Sequence, residues 1–196
     1  MHGGGNEFLG KAEWRARLLA ARAGVSTRQR VDEARALVAA AGNLPLSATV
    51  CAYVPFGSEP GAMGLLDALR AAGSRVLLPV VPPERGALDW AEYTGTASLA
   101  AGKLRGVLEP TGTRLGTHAL GDAGLVLVPA LAVDRSGVRL GRGAGYYDRS
   151  LPHAADAAEL VALVRDDELV DRLPGEAHDM KMTAALTPGG GFVRLG

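Results

Sequence analysis

The chain has 196 residues, long enough to bury a core without disulfide or metal staples and of a size for one domain. Hydrophobic residues at 47% and charged residues at 21% exclude a disordered chain. Lys+Arg and Asp+Glu number 21 each, and no run of about 18 apolar residues occurs, so neither nucleic acid nor a membrane is expected as a partner.

Residues 1–10, MHGGGNEFLG, lack the cationic start and apolar stretch of a secretory leader, and their glycines predict a flexible lead-in. Lys11 to Ala23 is rich in Ala, Arg and Leu and reads as a helix closed by Gly24. A second helix is predicted from Ser26 to about Ala41, with Ser26 and Gln29 at capping-box spacing and a stop at Gly42-Asn43. Thr49 to Val54 is a short apolar strand. It holds Cys51, the single cysteine, which excludes an internal disulfide and fits a reducing cytoplasm. The loop PFGSEPG, a helix from Ala62 to Ala72 ended by Gly73, and an apolar strand from Arg75 to Val81 follow. Strand, loop, helix and strand in that order build parallel sheets.

Pro82 to Gly121 is rich in Gly, Pro and Thr, with short strands expected near Leu88 to Tyr93 and Gly106 to Leu108. Leu125 to Pro129 is the clearest buried strand. A strand over Leu160 to Val164, a helix over 166–173 and a last strand over Ala184 to Thr187, before a flexible GGG, complete the pattern. The expected fold is one three-layer α/β domain over 11–196, with N-terminal helices and a predominantly parallel sheet.

The most informative segment is RLGRGAGYYD, Arg139 to Asp148. Alternating Gly141, Gly143 and Gly145 let backbone N–H groups approach a ligand and permit positive φ, so that successive amides form a nest for anionic oxygens. A helix starting just after the loop adds its positive end. Arg139 and Arg142 supply guanidinium forks that match phosphate. Neither GxxxxGK[ST] nor GxGxxG is present. Taken alone, the glycines fit a phosphate loop or a solvated turn equally well. Lys11 and Arg15 are four apart on one helix face, with Arg22 near it, which alone describes a solvated basic face. Asp148 suits either a metal or a helix start. His118, His153 and His178 show no pairing that suggests catalysis, and Trp90 and Tyr93 read as core or rim aromatics, or as part of a binding wall.

LVPALAVDRSGVRLGRGAGYYDRSL, Leu127 to Leu151, closely resembles the signature of the 5-formyltetrahydrofolate cyclo-ligase family, also called methenyltetrahydrofolate synthetase. Lys11-x-x-x-Arg15, AYVPFGSE, LPVV, Glu109-Pro110 and PGEAHDM resemble the family in the same order. The resemblance implies a Rossmann-like fold, usually monomeric, that uses ATP and Mg²⁺ to close 5-formyltetrahydrofolate into 5,10-methenyltetrahydrofolate with release of ADP and phosphate. It assigns ATP to Lys11, Arg15, Arg139, Leu140, Gly141, Arg142, Gly143, Ala144, Gly145, Tyr146 and Tyr147. It assigns the folate to Phe56, Glu59, Arg142, Gly143, Ala144, Gly145 and Tyr146, with Arg142 and Tyr146 closest to the chemistry. Asp148 and Asp179 are the implied Mg²⁺ ligands. Gly61, Ala62, Ala144 and Thr183 stand where the family often carries other residues. A non-catalytic folate- or nucleotide-binding relative of the same fold is the alternative.

Overall fold

The computed structural model describes residues 9–196; most of the expected lead-in, residues 1–8, lies outside the described residues. The helices are α1 (Lys11–Ala23), α2 (Thr27–Ala40), α3 (Met63–Ala71) and α4 (Tyr146–Ser150). The first six strands are β1 (Thr49–Cys51), β2 (Arg75–Val80), β3 (Asp89–Glu92), β4 (Leu99–Ala101), β5 (Leu108–Pro110) and β6 (Leu125–Pro129). The remainder are β7 (Ala132–Asp134), β8 (Arg139–Leu140), β9 (Glu159–Leu163), β10 (Leu169–Val170), β11 (Ala184–Thr187) and β12 (Gly191–Arg194).

The central sheet has the order β12-β11-β9-β6-β1-β2-β3. Its inner strands pair in parallel, and the two edge strands, β3 and β12, are antiparallel. The inner strands alternate cleanly. Val50, Leu125 and Leu127 face a core built with Leu37 of α2 and with Leu65, Leu66 and Leu69 of α3. Cys51, Val126 and Val128 face the opposite core, closed by Trp90, Leu120 and Leu151. A strand buried on both faces must be apolar throughout, which is why these runs are continuous. Chain order leaves β1 outward to β2 and returns on its other side at β6, so the sheet switches direction between β1 and β6. Open α/β sheets bind ligands at the carboxyl ends of strands at such a switch.

A second sheet, β10-β7-β8, stands beside the first. The helix α1 packs on it through Trp14 and Leu18, against Leu131, Ala132 and Leu140. The same phase carries Lys11 and Arg15 to the rim, because side chains three and four apart share a helix face. The Ser26 hydroxyl caps α2 by accepting from the Gln29 amide at 3.1 Å. Gln29 does not reach back; its amide donates to Glu33 at 2.9 Å, so half of the expected capping box forms.

Two expectations are corrected. Residues 166–173 are not a helix: a short 3₁₀ turn over Asp166–Glu168 leads into β10, which pairs in parallel with β7. The Asp134 carboxylate then accepts from the Leu173 amide at 2.9 Å, and this long-range pairing overrides the local helical preference. Nor does the chain end in a loose GGG. Asp166 accepts from the Gly189 and Gly190 amides at 3.0 and 3.2 Å, and the turn returns into β12 against β11. Among the described residues, no helix is long and apolar enough to cross a membrane.

Candidate active site

A cavity of about 220 Å³ opens at the carboxyl ends of β1, β2 and β6. A second cavity, lined by Gly61, Ala62 and Leu65, holds about 10 Å³, too small for a substrate. The large cavity gathers Lys11, Arg15, Phe56, Glu59, every residue from Arg139 to Asp148, and Asp179. The structure thus brings all of the sequence-nominated site residues to one wall system. Its outer side is apolar, with Leu88 and, from the β4–β5 hairpin, Leu104, Val107 and Leu108.

The glycine loop leaves β8 and enters α4. Gly143 and Gly145 have φ of +105° and +73°, a region that a side chain strains, so the nest conformation requires glycine there. Gly141 is glycine for space: an added Cβ would sit 2.9 Å from the Arg139 guanidinium. The helix α4 does start just after the loop, but at five residues it adds little dipole field. Side chains hold the loop from outside. Arg15 Nε donates to the Gly141 carbonyl at 2.9 Å, and Arg149 Nη2 donates to the Ala144 carbonyl at 3.1 Å. Arg149 also donates to the Gly86 carbonyl and lies over the Tyr146 ring, so Tyr146 is braced at the pocket edge. Tyr147 lines the pocket, while its hydroxyl is buried and, among the described residues, has no hydrogen-bond partner.

Lys11, Arg139 and Arg142 each face a carboxylate across or along the cavity wall. Arg139, only 7% exposed, donates to Asp148 at 2.8 Å and to the Pro129 carbonyl at 3.0 Å. Burial pulls its pKa below the usual arginine value, against the pull of Asp148. Lys11 lies 3.3 Å from Asp179 and 3.5 Å from Glu176. Burial raises the Asp179 pKa, but the Glu176 amide, Lys11 and His178 outweigh it, leaving that carboxyl below its ordinary value. Arg142 Nε stands 3.4 Å from Glu59 and its guanidinium lies 5.0 Å over the Phe56 ring. Glu59 is 8% exposed and also accepts from the Phe56 amide at 3.1 Å. Burial raises its pKa in spite of that amide and Arg142.

As potential metal ligands, Glu176, His178 and Asp179 offer atoms within 4.8 Å of one another. Asp148, in the first turn of α4, is a separate oxygen donor on the same pocket. Oxygen-rich sets of this kind suit a hard divalent cation.

Most of the other residues weighed in the sequence lie away from the cavity, and Trp90 and Tyr93 are core aromatics. Trp90 and Tyr93 are 0% and 1% exposed and do not line the cavity, so they form no binding wall. The Tyr93 hydroxyl instead donates to Asp67 at 2.9 Å. The histidines make contacts away from the cavity. His118 and His153 meet edge to face at 4.8 Å where two 3₁₀ turns pack, and His178 lies 3.2 Å from Glu176. Both contacts lie outside the cavity lining. Thr183 sits just before β11, bonded across to the amino end of β9 by donating to Glu159 and accepting from the Leu160 amide, on the far edge from the site. Gly61 and Ala62 line only the small second cavity. Of the four departures, Ala144 alone touches the large one.

Sequence reasoning missed Arg149 and gave Glu109 no role. The carboxylate of Glu109 accepts from the Val81 amide at 3.0 Å, fastening the β4–β5 hairpin over the end of β2. The Glu-Pro dipeptide was the available signal.

A family model described as the 5-formyltetrahydrofolate cyclo-ligase family matches residues 9–188. The 5-formyltetrahydrofolate cyclo-ligase of Mycolicibacterium smegmatis is 49% identical over 190 residues, 94% of this chain and 97% of that protein. The protein of the same name from Escherichia coli is 32% identical over 142 residues, 71% of this chain and 78% of that one. Among solved structures, 5,10-methenyltetrahydrofolate synthetase of Aquifex aeolicus has a TM-score of 0.77 at 26% identity, over 94% of this chain and 92% of that one. The match takes in every segment that builds the cavity, from Lys11 to Asp179, and the chain belongs to the 5-formyltetrahydrofolate cyclo-ligase family.

Proposed function

We propose that this chain converts 5-formyltetrahydrofolate to 5,10-methenyltetrahydrofolate at the expense of ATP, in a Mg²⁺-dependent reaction that releases ADP and phosphate. One observation carries the reading: a basic glycine loop and a buried carboxylate, Glu59, line the same cavity. The nest from Gly141 to Gly145, with Lys11, Arg15 and Arg139, grips the triphosphate. Glu59 accepts hydrogen bonds from the pterin N–H groups, and the apolar side around Leu88 and Leu104 excludes water.

A formamide oxygen is a poor leaving group, so it is first made a phosphate. The formyl oxygen attacks the γ-phosphorus, the bond to ADP breaks, and an imidophosphate forms on N5. N10 then attacks the formyl carbon, loses its proton, and the C–O bond breaks to release phosphate. Such a sequence needs alignment and charge neutralisation, and no protein nucleophile. Arg142 stabilises charge on the transferring group, and Tyr146, braced by Arg149, packs beside it. Asp148 and Asp179 are the residues that would hold Mg²⁺, which when bound neutralises phosphate charge. The protein acts as a cytoplasmic monomer in this reading.

Mixing the protein with 5-formyltetrahydrofolate and Mg²⁺, with and without ATP, and following the absorbance of the methenyl product tests it. Product only with ATP is expected. Tight folate binding without product would instead make the chain a binding relative.

A further inference from the structure

At the back of the cavity, where Arg22 reaches the wall, lies a buried ionic group that none of the assigned roles uses. Glu168 is its centre. One carboxylate oxygen accepts from Arg22 Nε at 2.6 Å; the other accepts from Arg22 Nη2 at 2.8 Å and from the Arg165 amide at 2.8 Å. The Arg165 guanidinium lies 3.8 Å from the same carboxylate and donates to Glu33 at 2.9 Å. Arg22, Glu168 and Arg165 are 1%, 4% and 4% exposed.

Removing these charges from water is costly, and apolar replacements of such groups often stabilise a fold as well or better. The network is therefore poorly explained by stability. Its outward bonds suggest a different purpose. Arg165 Nη1 donates to the Ser58 carbonyl at 3.0 Å, directly before Glu59. Arg30 donates to the preceding carbonyl, Gly57, at 3.3 Å. On the other side, Arg22 Nη2 donates to the Ala130 carbonyl at 2.6 Å. Ala130 follows Pro129, whose carbonyl accepts from Arg139. One carboxylate thus ties the loop bearing Glu59 to the strand end that anchors the glycine loop.

We propose that Glu168, gripped by Arg22 and Arg165, is a positioning residue that sets the separation between the folate and nucleotide halves of the cavity. The inference rests on the functional reading above. Each half keeps its own contacts without the hub; what is lost is the alignment of the formyl oxygen with the γ-phosphorus. A misplacement of about 1 Å costs roughly 100-fold in rate.

The test is Glu168→Gln, with Arg165→Lys as a second variant that keeps the charge and loses the fork to Ser58. Calorimetry gives the separate affinities for 5-formyltetrahydrofolate and for a non-hydrolysable ATP analogue with Mg²⁺. Turnover is followed by the absorbance of the methenyl product, and folding by thermal melting. Expected for Glu168→Gln are both affinities within about threefold of wild type and a kcat about 30- to 100-fold lower; for Arg165→Lys, kcat falls about tenfold. A folded variant with wild-type kcat overturns the proposal, as does a parallel loss of both affinities that accounts for the whole rate change. If Glu168→Gln fails to fold, Arg165→Lys decides by the same criteria. Wild-type protein that makes no ATP-dependent product overturns the functional reading and this inference together; wild-type turnover with unaffected variants overturns this inference alone.

Discussion

Arg142 and Glu59 meet across the cavity at 3.4 Å, one from the glycine loop and one from the loop after β1. The pair joins the two halves of the site through their charges. Arg142 lies over Phe56 and is 37% exposed, so its removal leaves no buried charge unpaired except Glu59 itself, whose raised pKa lets it take up a proton. Arg142→Ala is expected to lower kcat/KM about 10²- to 10³-fold with little change in thermal midpoint. Steady-state kinetics beside a melting curve check this, and wild-type-like turnover removes Arg142 from the mechanism.

Glu59 gives a pH signature. Burial holds its folded pKa above the unfolded value, so the folded chain binds the proton more tightly. Its contribution to stability therefore falls as pH rises from the unfolded pKa through the folded one. If Glu59 binds the folate as proposed, recognition runs the other way, because the carboxylate is the form that accepts N–H bonds, and KM for folate is expected to rise as pH falls through the raised pKa. Glu59→Gln should raise that KM about 10- to 100-fold at neutral pH, flatten its acid dependence and leave KM for ATP within about threefold. An acid limb that persists in the variant assigns the titration to another group.

Asp148 is 69% exposed but its partner Arg139 is only 7% exposed, so Asp148→Asn, which keeps an acceptor oxygen and removes the charge, is expected to lower the thermal midpoint while the protein still folds. The Mg²⁺ concentration for half-maximal turnover is expected to rise about 10- to 100-fold. An unchanged metal titration argues against a ligand role.

Gly143→Ala separates backbone geometry from charge. Its added Cβ meets nothing closer than the Arg15 guanidinium at 3.6 Å, yet φ is +105°. The strain is about 1–3 kcal/mol, enough to draw the loop out of its nest. Calorimetry with the ATP analogue should show binding weakened about tenfold, with the thermal midpoint little changed because the loop is exposed. Unweakened binding means that the amides of this loop do not hold the triphosphate.

Local spacing picked out features of the site whose use only the family resemblance named. The alternating glycines with their arginines, Lys11 and Arg15 four residues apart, and the apolar runs of β1, β2 and β6 each depend on neighbours a few positions away. The parts that were hidden depend on distant partners. Glu168 looks like one acid in DDE, and only folding places Arg22, 146 residues earlier, on it. Arg149 resembles a solvated helix cation until Gly86 and Ala144 meet it. The same reason explains the lost helix at 166–173, since β7, the partner that draws 169–170 into a strand, is remote in sequence.

The cavity wall interleaves five cations, Lys11, Arg15, Arg22, Arg139 and Arg142, with four carboxylates, Glu59, Glu109, Asp148 and Asp179. So even a mixture presents little far-reaching potential to an approaching polyanion, and encounter should respond only weakly to ionic strength. Discrimination then begins at contact, when a ligand offers both phosphate for the guanidinium groups and something else to satisfy the carboxylates they leave. Simple anions supply only the first, and the wall itself is thereby a filter against them.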